Sequence, residues 1–254
     1  MSWAARRRFF ILLILGSVAA MFLVGISIAT FYEAPSCSDS VKNQNEEGVD
    51  CGGSCTYLCT AKEQPPTVLF TKALTNSEGR TDIIASVENK NMSSAAKNVP
   101  YRITLYDKNK LIIKEMVGTL DLPPGASVPV FVPGVLLGKQ VVTGAFLSID
   151  AVSPQWFSMT TDSRVVPTLS NIKQVGTVSA PRIEAILVNP SVSALENVQV
   201  IVLVRDARGD IIAASSTVVP TISAQGQATA TFTWNGPFSS ESASIEVVPI
   251  IPLP

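Results

Sequence analysis

The 254-residue sequence contains no histidine. That one absence removes the commonest general base, the commonest metal ligand and every Ser-His or Cys-His nucleophile pair. There is also no phosphate-binding glycine loop of the G-x-x-x-x-G-K-[ST] kind and no G-x-S-x-G nucleophile elbow. Charge is scarce, at 15% of residues, and it is not basic in excess, since 19 Lys and Arg stand against 20 Asp and Glu. A nucleic-acid partner is therefore not expected, because such proteins need a basic footprint. The chain reads as non-enzymatic.

What is present begins with a long apolar run. From Phe9 to Phe31 no residue is charged. A helix rising about 1.5 Å per residue over that length crosses a hydrocarbon core roughly 30 Å thick. Arg6, Arg7 and Arg8 precede the run, whereas Glu33 follows it and no basic residue appears until Lys42. The positive flank predicts an N-terminus in the cytoplasm (residues 1–8), a transmembrane helix over 9–31 in contact with membrane lipid, and export of the remainder. Phe9, Phe10, Phe31 and Tyr32 stand at the two expected interfaces. A cleaved secretory signal is the alternative, with Ser27-Ile28-Ala29 as a small-x-small site, but signal cores usually span about 7–15 residues and this run is longer. Gly16 and Ala20 form one small-xxx-small pair on which another helix could pack.

All four cysteines, Cys37, Cys51, Cys55 and Cys59, fall in a stalk assigned to residues 32–65. An even, clustered count in an exported segment predicts two disulfides, with three pairings open. Zinc is disfavoured by the isolated first cysteine and the oxidising compartment. The same segment is rich in hard oxygen ligands. Asp39, Asn43, Asn45, Glu46 and Asp50 form a candidate structural Ca²⁺ site beside the Gly52-Gly53 turn, although the spacing is not that of an EF-hand. The competing reading is a turn network in which Asp and Asn side chains bond nearby N–H groups. The residues Cys37, Asp39, Asn43, Glu46, Asp50, Cys51, Gly52, Gly53, Cys55 and Cys59 resemble a cysteine motif of surface proteins written CxDxxxNxxExxxDCGGxC. The motif implies no particular chemistry.

After Gln64-Pro65-Pro66 the chain changes to short β-branched runs separated by Asn, Gly, Pro and Ser turns. Strands are predicted over Thr67–Leu74, Thr81–Val87, Tyr101–Tyr106, Leu111–Val117, Val128–Val132 and Val142–Ile149. No helical period follows the membrane segment. The second half repeats the first at an offset near 100. Ser86-Val87-Glu88-Asn89 aligns with Ile186-Leu187-Val188-Asn189, Lys97-Asn98-Val99 with Glu196-Asn197-Val198, Ile103–Asp107 with Val202–Asp206, Pro124-Gly125 with Gln225-Gly226, and Phe131 with Phe232. Such self-similarity predicts two tandem all-β sandwich domains, 66–166 and 167–254.

The run Ile103-Thr104-Leu105-Tyr106-Asp107, between an Asn-bearing turn and a Pro-Gly turn, resembles the FxLYD family of small immunoglobulin-like β-sandwich domains of bacterial and archaeal surface proteins. Ile103 replaces the phenylalanine of that pattern, and in the second half Arg205 replaces its tyrosine. The resemblance implies an immunoglobulin-like fold in both halves. It leaves open the partner, which in an envelope setting is another envelope protein or a glycan.

The Asn, Asp, Gly and Pro positions matched between the halves read as turn formers. A carboxylate hydrolase would have to draw on Glu88, Asp107, Glu184 and Asp206, all at turn or repeat-matched positions. Trp156, after Ser153-Pro154, and Trp234, beside Asn235-Gly236, are expected to be buried near a domain junction rather than to serve as ligand platforms. The functional expectation is a surface protein whose modules act as spacer, scaffold or binding surface. An accessory subunit of an envelope secretion, pilus or transport complex is the second reading.

Overall fold

The computed structural model describes residues 3–31, 36–76, 79–136, 140–152 and 154–254. Tyr32, Glu33 and Ser153 lie outside the described residues. The chain forms two compact units, Met1–Cys55 and Thr56–Pro254.

The first unit opens with helix α1, Trp3–Phe31. It starts before the apolar run and takes in Arg6–Arg8. Apolar residues surround it on every side, and its described side chains are exposed throughout. A helix without a polar face has no stripe to lay on a soluble core, and this one is long and apolar enough to cross a membrane. The rest of this unit is a tight loop tied by the Cys37–Cys55 disulfide. No cysteine is free, since Cys51 and Cys59 are disulfide-bonded as well.

The second unit is all β apart from one short turn of 3-10 helix at Thr60–Lys62. Its first half contains β1 (Thr67–Thr75), β2 (Thr81–Glu88), β3 (Ser94–Tyr106), β4 (Ile112–Leu122), β5 (Ser127–Leu136), β6 (Gly144–Ile149) and β7 (Trp156–Ser158). Its second half contains β8 (Thr168–Thr177), β9 (Ala180–Val188), β10 (Leu195–Arg205), β11 (Ile211–Ile222), β12 (Gln227–Thr233) and β13 (Ser244–Ile250). The six longer strands of the first half overlap the segments expected of them, but β3 starts earlier, β4 and β5 run on to Leu122 and Leu136, and β6 starts later, at Gly144. The sheets run β1-β2-β5 and β4-β3-β6 in the first half, then β8-β9-β12 and β11-β10-β13 in the second, and β7 adds to the end of β3. The two halves therefore share one connectivity, and every described pairing is antiparallel.

Each half has its own core between its two sheets. Ile83, Ala85 and Val87 of β2 meet Ile103, Leu105 and Leu147 in one, and Ile183, Ala185 and Leu187 of β9 meet Val200, Val202, Val204 and Phe232 in the other. Trp156 is fully buried in the first core, and its indole nitrogen has no hydrogen-bond partner there. Tyr101 packs against the same core, and Gly118 makes room for it, because a Cβ at Gly118 would fall 2.3 Å from the Tyr101 hydroxyl. Burial raises the pKa of that phenol above its ordinary value.

A third cluster joins the halves. Phe70, Leu74, Ile84 and Phe131 of the sheet β1-β2-β5 pack on Ile201, Leu203, Ile211, Ala214, Val248 and Ile250 of the sheet β11-β10-β13. Residues alternate faces along a strand, so β2 and β10 send one set into their own core and the other into this contact. That is why Val198–Val204 is an almost unbroken apolar run: it is buried on both sides. The chain end reinforces the contact. Leu253 is buried with Ala95 and Met159 of the first half, its N–H donates to Asp121 Oδ2 at 2.8 Å, and Arg164 Nη1 donates to the Ile251 carbonyl at 2.6 Å. Bidentate bonding from Arg164 holds the Asp162 carboxyl below its usual pKa.

Residues 56–64 pack with this unit. Leu58 N–H donates to the Trp156 carbonyl at 2.7 Å, Tyr57 bridges to Phe157, and Gln64 exchanges two hydrogen bonds with the Asn91 side chain.

Candidate functional site

The acid-rich loop of the first unit is built from carboxylates accepting from main-chain N–H groups. Asp39 Oδ2 accepts from Ser36 N–H at 3.0 Å and from the Asn43 amide at 2.7 Å, and Oδ1 accepts from Val41 N–H at 2.9 Å. Asp50 accepts from Asp39 and Ser40 N–H at 3.0 and 2.9 Å. Glu46, buried to 6% exposure, accepts from Asn43 and Asp50 N–H at 3.3 and 3.2 Å. Bonds from Ser36 and Val41 N–H and from Asn43 lower the Asp39 pKa below its ordinary value.

The neighbouring glycines have a steric role. Gly52 and Gly53 both have positive φ, and a Cβ at Gly53 would lie 1.8 Å from the Asn45 carbonyl oxygen. Glu46 Oε1 approaches Cys55 Sγ to 3.2 Å, but a disulfide sulfur carries no proton, so this is a packing contact rather than a hydrogen bond. For the same reason the cluster Cys37, Glu46 and Cys55 offers no thiolate to a metal.

Among the described residues, Asp39, Glu46 and Asp50 do not gather their carboxylates into one cluster. Each accepts from main-chain N–H groups, and Asn45 is exposed, its main-chain carbonyl lying against Gly53. The side-chain Oδ1 of Asn43 is buried without a hydrogen-bond partner. Calcium needs six to eight oxygens at once. The arrangement is that of Asx-type turns, in which a carboxylate replaces missing main-chain acceptors.

In the second unit the repeat-matched asparagines are structural clamps. Asn89 Nδ2 lies within hydrogen-bond reach of the carbonyls of Ser94, Leu122 and Pro123 at 2.8, 3.3 and 2.9 Å, while its Oδ1 accepts from Asn91 N–H. Asn189 does the same toward Ser193, Ile222 and Ser223, accepting from Ser191 N–H. Both are 1% exposed. Each ties the end of one sheet to a turn of the other. No chemistry remains available to them.

The carboxylates considered for hydrolysis are likewise occupied. Asp107 accepts from Asn109 and Leu111 N–H, and Asp206 from Arg208 and Asp210 N–H. Glu88 pairs with Lys90, and Glu184 with Arg182 and Lys173. Glycosidases need two carboxyls facing one bond. Of these four, Asp206 borders a cleft.

That cleft, of about 650 Å³, opens where the two halves diverge beyond their shared apolar contact. Lys72, Leu74 and Asp82 line one side. Asp206, Arg208 and Asp210 line the other, and Trp234 and Phe238 close it as an edge-to-face pair with ring centroids 5.1 Å apart. Burial opposes ionisation of Asp206, but hydrogen bonds from Asp210 N–H, Arg208 N–H and the Arg208 guanidinium outweigh it and keep the pKa below its ordinary value. Trp234 is thus half-buried at a junction and also faces a concavity. Sequence patterning missed the cleft, because its walls come from both halves.

No family model and no curated protein matches the chain. Among solved structures it is similar to the crystal structure of red sea bream transglutaminase, at 12% identity and a TM-score of 0.24, over 76% of this chain and 32% of that one. The chain thus spans about a third of that protein's length, and a likeness of this size supports no statement about activity.

Proposed function

We propose that the chain is a non-enzymatic, single-pass membrane protein, anchored by α1 with its N-terminus in the cytoplasm, whose β-unit is displayed outside as a rigid scaffold and binding surface. The observation that carries this reading is the pairing of a helix that is apolar on all sides and flanked by Arg6–Arg8 with a cysteine-rich segment that is fully oxidised. The shared connectivity of the two halves and the Asn-turn-Asp positions support tandem immunoglobulin-like modules of the FxLYD kind. The acidic loop is a turn network stapled by disulfides, not a metal site. Calorimetry checks this: calcium titrated to millimolar concentration should give no heat, and a saturable signal would restore the metal reading.

Protease treatment of intact cells, compared with lysed ones, tests the topology. The β-unit should be digested, or shifted by a membrane-impermeant lysine label, without lysis. Its full protection in intact cells would refute the reading. Protein extracted from membranes with its native N-terminus supports the anchor, and a chain starting just after Ala29 supports the cleaved signal instead.

A further inference from the structure

We infer that the cleft closed by Trp234 and Phe238 is a saccharide-binding site, which deepens the surface-binding role proposed above and rests on it. Its volume of about 650 Å³ falls within the range of small-molecule pockets, roughly 300–1,000 Å³. Its lining combines three things. A half-buried aromatic pair stands at one end, with the Trp234 ring braced edge-to-face by Phe238. A rim of amide, hydroxyl and carboxylate groups from Asn235, Ser239 and Asp210 surrounds it. Most wall charges are answered internally, Arg208 by Asp206 and Asp210, and Asp82 by Arg80, while Lys72 adds a single amine that can donate to a hydroxyl.

Internal pairing disfavours an ionic ligand, which would have to compete with those bridges. A pyranose offers the complement of what is left: a flat face of C–H groups for the indole and a perimeter of hydroxyls for planar polar side chains. The site is also pre-formed. Asp206 is held by its own turn, by Arg208 and by the Ser240 hydroxyl, and Trp234 N–H donates to the Pro181 carbonyl, so little ordering cost remains at binding.

The test uses the full chain in detergent micelles with chitotriose, cellotriose and mannotriose as probes, read by saturation-transfer NMR and by calorimetry. At least one trisaccharide should bind with a millimolar or tighter dissociation constant. Trp234→Ala should weaken it about tenfold, and Trp234→Tyr should retain most of the affinity. Should Trp234→Ala misfold, Asp210→Ala keeps the test alive, because that side chain is over half exposed and the turn uses the main-chain N–H and carbonyl of Asp210, which alanine retains. It should weaken binding severalfold. No binding of any of the three at millimolar concentration overturns the proposal, as does binding that both variants leave unchanged. Either failure leaves the topology experiment, read on cells, unaffected.

Discussion

The first half of the β-unit (67–158) and the second (168–250) share one connectivity and one asparagine clamp, yet their outer faces are opposite in character. With Ile83 and Ile183 in step, Ile84 corresponds to Glu184 and Phe131 to Thr231. On the other sheet the asymmetry reverses. Ile201, Leu203 and Ala214 of the second half correspond to Arg102, Thr104 and Glu115 of the first. One apolar outer face from each half meets in the shared cluster, while the matching free faces carry ion pairs, Arg102 with Glu115 and Glu184 with Arg182 and Lys173. The contact is heterologous, so identical halves would each present a further face for another copy to join. Polar outer faces stop the stack at two, as capping units do in repeat proteins.

Arg205 belongs to the same logic. Tyr106 of the first half stacks edge-to-face on Phe146 at 6.1 Å, within its own sheet. Arg205 at the corresponding position of the second half reaches across, its guanidinium 5.8 Å from the Phe70 ring, and pairs with Glu246. Arg205, where the first half has Tyr106, serves the contact between halves.

If the clamps are equivalent, Asn89→Ala and Asn189→Ala should be the most damaging changes and equal in size. Each strips partners from several buried main-chain groups, at about 1–3 kcal/mol per group, so a loss of about 3–5 kcal/mol in urea denaturation is expected. Values differing by more than half would break the equivalence. The faces come next. Ile84→Ala should cost about 2–4 kcal/mol by opening a cavity, whereas Glu184→Ala should stay within about 0.5 kcal/mol. In the other direction, the pair Glu184→Ile and Thr231→Phe makes the second half's free face apolar. Sedimentation should then show concentration-dependent self-association absent from the parent.

Arg205→Tyr, which gives the second half the tyrosine of the first, should cost about 1 kcal/mol through loss of the Phe70 and Glu246 contacts. The smallest effect is in pH. Because the folded state holds Asp206 below its ordinary pKa, its stabilisation is complete above the unfolded value and lost as pH falls through the folded one. Asp206→Asn should therefore flatten the acid limb of Tm against pH and leave the neutral region's slope alone.

Much of this molecule was legible. The long uncharged run marked α1, and β-branched runs between turn residues marked the strands, because each depends on local pattern. The stalk acids were legible as turn formers but equally as ligands, since a carboxylate suits N–H groups and cations alike; only the direction of each side chain separates the two. The matching strand order of the two halves was foreshadowed by their sequence similarity, with a slip of one residue. Alignment by residue type matched Phe131 to Phe232 and Gly125 to Gly226. Pairing shows Phe131 opposite Ile84 in the shared cluster, and Phe232 opposite Ile183 in its own core. Likewise Gln225 takes the positive φ of Gly125, each donating to the equivalent carbonyl, of Ser191 and Asn91. Side chains alternate, so a slip of one residue turns a core ring into an interface ring.

By itself the sequence determined the helix, the strands, their turns and the even cysteine count, because hydrophobic period, proline, glycine and asparagine act over a few residues. Only the tertiary structure decided that two sheets would be buried on both faces, that the acids of the stalk would point at N–H groups, and that Trp234 would face a cleft. Those outcomes depend on which surfaces meet across a hundred residues of chain, and no local pattern encodes a neighbour that distant.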